Sequence, residues 1–127
     1  MDEKELKART KRFGLRVMNL VDALPKTTSG RAIGNQLVRS GTSVGANYRA
    51  ACRSRSKAEF IAKIGIVAEE ADESAFWLEL IMDANILKTD LVSPLRQEAE
   101  ELTAIFTASG RTAKIHNQKS TIKNPKC

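Results

Sequence analysis

The chain is poor in aromatic residues, with one Trp, one Tyr and four Phe in 127 positions. That leaves little for the base-stacking platforms used by single-strand binders. Three prolines and seven glycines are too few for the turn punctuation of a β-rich chain. No apolar run approaches the ~18 residues a transmembrane helix needs. The start, Met1-Asp2-Glu3-Lys4-Glu5, lacks the apolar stretch of a signal peptide. Two cysteines, Cys52 and Cys127, and a single histidine, His116, cannot supply a zinc tetrad. With one cysteine in a helical pattern and the other at the last position, no structural disulfide is expected. A cytoplasmic, reducing compartment fits that usage.

What is present is soluble and helical in pattern. Hydrophobic residues make up 42% and charged residues 28%, as in a single globular domain. Four segments repeat apolar residues at helical spacing. The first carries Leu6, Phe13, Val17, Leu20, Val21 and Leu24 and stops before Pro25. The second follows the cap-rich run Thr27-Thr28-Ser29-Gly30 and carries Ile33, Leu37, Ser40, Gly41, Val44, Tyr48 and Ala51. Ser40 and Gly41 are small enough to admit another helix closely. Gly34, Gly41 and Gly45 each cost roughly 1 kcal/mol against Ala, so packing must hold this helix. Ser56-Lys57-Ala58-Glu59 reads as a capping box, with Glu59 returning to the Ser56 amide. It opens a third helix to about Met82 or Ala84, with a stripe of Phe60, Ile64, Val67, Ala71, Leu78 and Met82. The fourth is expected from Ser93-Pro94 to Gly110, with Leu95, Ala99, Leu102 and Phe106 inward. The expectation is an all-α, antiparallel up-and-down four-helix bundle over 1–110. A basic, disordered tail over 111–127 is expected to follow.

The third helix also shows Ile66, Phe76, Trp77 and Leu80 roughly opposite its core stripe. An outer bundle face is ordinarily polar, so these four predict a surface for self-association. The alternative is that they cover a neighbouring helix of the same chain.

Charge is uneven. The net charge is +6, which favours polyanionic partners. Arg31, Arg39, Arg49, Arg53, Arg55 and Lys57 span a stretch with no acidic residue. The first four fall within about 80° on a helical wheel. The N-terminal residues Lys4, Lys7, Arg9, Lys11, Arg12 and Arg16 add to the basic surface. From Glu69 to Glu79 the sign reverses. One reading is that the basic ridge holds nucleic-acid phosphates, RNA or DNA, by bidentate Arg contacts. The other is an assembly module in which the ridge meets the acidic stretch of a neighbouring subunit, without nucleic acid.

No catalytic constellation can be built. Ala113, three residues before His116, leaves no Glu-x-x-His for a di-iron bundle. Glu69, Glu70 and Glu73 read as a solvated or salt-bridged face. The glycines of the second helix form neither a dinucleotide fingerprint nor a P-loop. A helix-turn-helix around Gly41 fails, because Leu37 and Asn47 stand where small and apolar residues are required. No enzyme, metal or cofactor is expected.

Gln36-Leu37-Val38-Arg39-Ser40, Ser43-Val44-Gly45-Ala46-Asn47 and Arg55-Ser56-Lys57-Ala58-Glu59-Phe60 resemble the four-helix bundle family called 23S rRNA-intervening sequence (S23-type) proteins. Glu69-Glu70-Ala71-Asp72-Glu73 and Trp77-Leu78-Glu79-Leu80 look like its third helix. The resemblance implies a bacterial bundle forming a ring-like homopentamer, of mostly undefined role. A related bundle works with a reverse transcriptase, so a nucleic-acid-handling enzyme is a further implied partner. The chain departs from the family pattern at Tyr48-Arg49-Ala50-Ala51, where Ile-Ala-Glu-Gly is common. An acidic residue is lost there, an Arg is gained, and a helix-ending Gly is missing. Gln36, Ser43 and Asn47 lie beside the core stripe and are expected to hydrogen-bond across a helix interface.

Overall fold

The computed structural model describes residues 1–123, with side chains to 118. Four helices follow one another: α1 (Glu3–Asp22), α2 (Thr28–Cys52), α3 (Lys57–Asp83) and α4 (Thr89–Lys123). The start of each of the first three is set by a side-chain cap. Asp2 accepts from the Glu5 amide at 2.8 Å, Thr27 from Gly30 at 3.0 Å and Ser56 from Glu59 at 3.1 Å. Each satisfies an amide that the first turn leaves without a helical partner. The Glu59 carboxylate reaches back to the Arg55 amide at 3.3 Å, one residue short of the Ser56 amide expected of a capping box.

α3 stops at Asn85, whose φ of 54° is a left-handed conformation that Asn tolerates. Ile86 then donates to the Ile81 carbonyl and Asn85 to the Met82 carbonyl, both at 3.0 Å. This paired closure satisfies carbonyls the helix end would orphan.

The short connections 23–27, 53–56 and 84–88 force neighbouring helices to run antiparallel. Each helix packs on the next, and α1 closes the cycle against α4, with no diagonal contact between helix backbones among the described residues. The expected all-α, up-and-down bundle is therefore the fold. Its core holds Phe13 and Val17 from α1, Leu37 and Val44 from α2, Ile64, Val67 and Leu78 from α3, and Leu95, Leu102 and Phe106 from α4. Tyr48 and Phe106 meet across the centre with ring centroids 5.1 Å apart. Phe60 and Met82, expected inside, are half-buried at the core's edge, while Ser74, Ala75 and Ile81 are buried in α3. One cross-helix hydrogen bond lies in the interior, from the Ser74 hydroxyl to that of Ser40 at 2.9 Å.

The glycines of α2 permit the α1–α2 packing. A Cβ on Gly41 would stand 2.8 Å from both Val17 methyls, and one on Gly45 3.4 Å from the Thr10 backbone.

α4 differs from expectation at both ends. It begins at Thr89, so Pro94 lies within it and Val92 becomes core. Only the Asp90 carbonyl lacks its usual donor there, and Asp90 is exposed. Nor does the helix stop at Gly110. It continues to Lys123, so much of the segment expected as a disordered tail is helical. Residues 124–127, including Cys127, lie outside the described residues. Thr112, Ala113 and His116 of the extension line a cleft with the α2–α3 connection and the start of α1. Gly110 itself lies beside α3, where an added Cβ would stand 3.6 Å from an Ile64 methyl.

Candidate nucleic-acid interface

Alternation of direction places the start of α1, the end of α2, the start of α3 and the end of α4 together. Basic residues collect at that end. Arg53 caps α2 and is followed by Arg55 and Lys57, all exposed. Arg49 is exposed one turn earlier, and the α4 extension adds exposed Arg111 and Lys114. The nearby carboxylates Glu3 and Glu59 are held by Lys7 at 3.2 Å and Lys63 at 3.0 Å. Those lysines hold both carboxyls below the usual range, Lys7 for Glu3 and Lys63 for Glu59.

The ridge expected along α2 does not stay whole. Arg39 turns onto α3, where its guanidinium pairs with Glu70 at 3.1 Å and also with Glu73. Its Nε donates to Gln36, and Glu73 in turn accepts from the Trp77 indole at 3.0 Å. Arg31 is exposed but sits at the opposite end of α2. In the N-terminal cluster, Arg9 clasps Glu98 of α4 through two hydrogen bonds of 2.8 and 2.6 Å. The paired carboxylate raises its pKa further. Arg9 and Arg39 are thus tied to carboxylates of neighbouring helices, Arg39 while still exposed. Arg49, Arg53, Arg55 and Lys57 have no carboxylate partner among the described residues.

A family model for the 23S rRNA-intervening sequence protein matches residues 3–108. The chain belongs to that family. A crystal structure of a protein of unknown function from the S23 ribosomal protein family of Bacteroides thetaiotaomicron is similar to it. The two share 29% identity and a TM-score of 0.80, over 87% of this chain and 99% of the other. No curated protein matches significantly.

The departure from the family pattern at Tyr48–Ala51 has a structural resolution. α2 ends without glycine, because Arg53 takes φ of −103° and three-residue hydrogen bonds run from Arg53 to Ala50 and from Ser54 to Ala51. Ser43 and Asn47 bond within α2, to the Arg39 and Ser43 carbonyls, rather than across an interface as expected. Ser40 and Ser74 supply the cross-helix hydrogen bond instead.

A cleft of about 540 Å³ opens at the basic end, lined by Cys52, Ser54, Lys57 and His116 among others. The sequence placed Cys52 and His116 far apart, and only the α4 extension brings them to one cleft. Burial first, then the neighbouring Glu3, pushes the Cys52 thiol up, which keeps it protonated and a poor nucleophile. Among the described residues no cluster of three His, Cys, Asp or Glu can hold a metal, and no helix is long and apolar enough to cross a membrane.

The apolar outer residues of α3 divide. Ile66 and Phe76 are 43% and 50% exposed. Trp77 and Leu80 are half-buried, with Trp77 packed on the core and its ring edge-on to Phe76 at 5.1 Å. The covering role therefore applies to Trp77, while Ile66 and Phe76 remain uncovered. Sequence reasoning missed Leu15 and Met18 of α1, 52% and 47% exposed. Their signal was present: Lys4, Ala8, Lys11, Leu15 and Met18 recur at four- and three-residue steps off the core stripe.

Proposed function

We propose that this protein is a non-enzymatic binder of nucleic-acid phosphates, acting through the basic end of its bundle. The supporting observation is the group of exposed cations without carboxylate partners, Arg49, Arg53, Arg55 and Lys57, extended by Arg111 and Lys114 on α4. Arg offers a planar fork that matches phosphate oxygens. Such contacts position a protein on a backbone and carry little sequence information. The family's name refers to 23S rRNA, which makes structured RNA the first ligand to test. The exposed Ile66 and Phe76 favour a second reading, an assembly module that needs no nucleic acid.

A filter-binding titration of the full chain against structured RNA and duplex DNA, over several salt concentrations, tests the proposal. Affinity should fall steeply with salt. Replacing Arg53 and Arg55 together by Ala should lower the log–log slope by about 1.4–1.8, at ~0.7–0.9 per phosphate contact. Arg31→Ala, at the far end, should leave the slope unchanged. Absence of binding at low salt overturns the proposal.

A further inference from the structure

The cleft at the basic end holds more hydrogen-bonding capacity than the bundle uses. Thr10, Thr42, Ser43 and Thr103, all inside helices, give their hydroxyls to carbonyls one turn back. Ser109 and Thr112 are also inside a helix and line the cleft, yet they make no hydrogen bond among the described residues. Ser54 of the α2–α3 connection lines it too. Its hydroxyl oxygen is closed to solvent and has no partner among the described residues, a state that calls for a cause in a folded protein. A ligand in the cleft supplies the partner, reached by rotation about one bond that no hydrogen bond opposes.

Charge in the cleft is mixed. Lys57 and Glu3 both line it and both are exposed, and Lys7 keeps the Glu3 carboxyl ionised. A compact polyanion would meet the Glu3 carboxylate as well as the Lys57 ammonium, so it fits poorly. A single nucleotide fits better. Its phosphate is the anion, and its base offers N–H donors, acceptors and a flat face. Phe60, half-buried, and His116 supply rings to the lining, the kind of side chain on which unstacked bases lie. The volume of about 540 Å³ is that of a small-ligand site. It holds one nucleotide and excludes a base pair still stacked in a duplex.

We infer that this cleft receives one unpaired nucleotide of an RNA, with its base on Phe60, its base edge on the unused hydroxyls and its phosphate on Lys57. The inference rests on the phosphate-binding reading and deepens it: the ligand is an RNA with a base out of its helix, held by Arg53 and Arg55 beside the cleft. The scarcity of aromatics agrees with this. One such cleft takes one base, whereas binders of long single strands stack successive bases on several rings.

Fluorescence anisotropy of the full chain at low salt, against three RNA hairpins, provides the test. One hairpin has a fully paired stem, one carries a bulged adenosine, and one carries an abasic sugar at the bulge. The adenosine bulge should bind about 5- to 100-fold more tightly than the abasic one, the range that loss of a base stack produces. Phe60→Leu keeps an apolar side chain at the edge of the core and should erase most of that preference, with affinity for the paired hairpin unchanged. Ser54→Ala should reduce the preference about 2- to 10-fold. Circular dichroism checks that both variants are folded. Occupancy is read at Cys52 in a chain whose other thiol is removed by Cys127→Ser: the adenosine bulge should slow maleimide labelling, and the abasic bulge should not. Equal affinity for the adenosine and abasic bulges overturns the inference and leaves the phosphate-binding reading standing. So does a preference that survives Phe60→Leu intact. If no hairpin binds at low salt, both fall. Labelling slowed by free adenosine monophosphate but by no hairpin also overturns the inference, because the cleft then serves a free nucleotide.

Discussion

Alanine placed at Gly41 and at Gly65 separates helix propensity from packing. Both glycines lie inside long helices, and alanine gains about 1 kcal/mol of propensity at either. At Gly65 a Cβ meets nothing within 4 Å, so the gain should be realised in full. At Gly41 the same atom would stand 2.8 Å from both Val17 methyls and 3.0 Å from the Val17 Cβ. Comfortable carbon contacts lie near 3.5–4.0 Å. Val17 is fully buried, and its branched side chain has one strongly preferred rotamer in a helix. It cannot swing aside, so α1 and α2 must separate, at a cost of about 1–3 kcal/mol. Gly65→Ala should therefore raise stability by about 1 kcal/mol, and Gly41→Ala should lie about 1–3 kcal/mol below it. For a chain of this size that is roughly 3–5 °C in Tm per kcal/mol. Urea unfolding followed by circular dichroism, at matched protein concentration, measures both. Adding Val17→Ala to Gly41→Ala should recover part of the loss as a coupling energy. If Gly41→Ala proves as stabilising as Gly65→Ala, the close α1–α2 approach described above is wrong.

Two further outcomes follow from the ion pairs and the buried phenol. Arg39→Ala should cost no more than about 1 kcal/mol, since its pairs with Glu70 and Glu73 are partly exposed and such pairs contribute little. It should also leave the salt slope of RNA binding unchanged, and a slope as shallow as that of the Arg53 and Arg55 double variant would mean that Arg39 leaves α3 to hold phosphate. At alkaline pH, Tyr48 and Cys52 should weaken the fold. Burial is the first cause that raises both groups above their ordinary values. The folded chain thus holds these protons more tightly than the unfolded one. The stability they contribute is complete below the unfolded pKa values, about 8.5 for Cys and 10 for Tyr, and is lost as pH climbs beyond them. The urea midpoint should decline from pH 8 to 11, less steeply in Tyr48→Phe, and a flat midpoint would refute the burial argument.

The helices, their starts and most of their core stripes were readable because each depends on residues within a turn or two. Asp2, Thr27 and Ser56 cap the chain that immediately follows them. The period of Leu95, Ala99, Leu102 and Phe106 marks an inward face whatever the face packs against. The sequence by itself therefore determined four rods with one greasy side each. Three features needed the tertiary structure. Gly110 signals a helix end locally, but α4 runs on past it and lines a cleft with the α2–α3 connection, which no local pattern records. Arg39 lies on the same side of the wheel as Arg49 and Arg53, yet the register of α3 puts Glu70 and Glu73 within its reach. Trp77 and Phe76 are adjacent and similar, and only the packing of α3 decided that one covers the core while the other faces solvent. Local chemistry sets where a helix forms, whereas the free charges and bare apolar faces are what remains after the helices have chosen their neighbours.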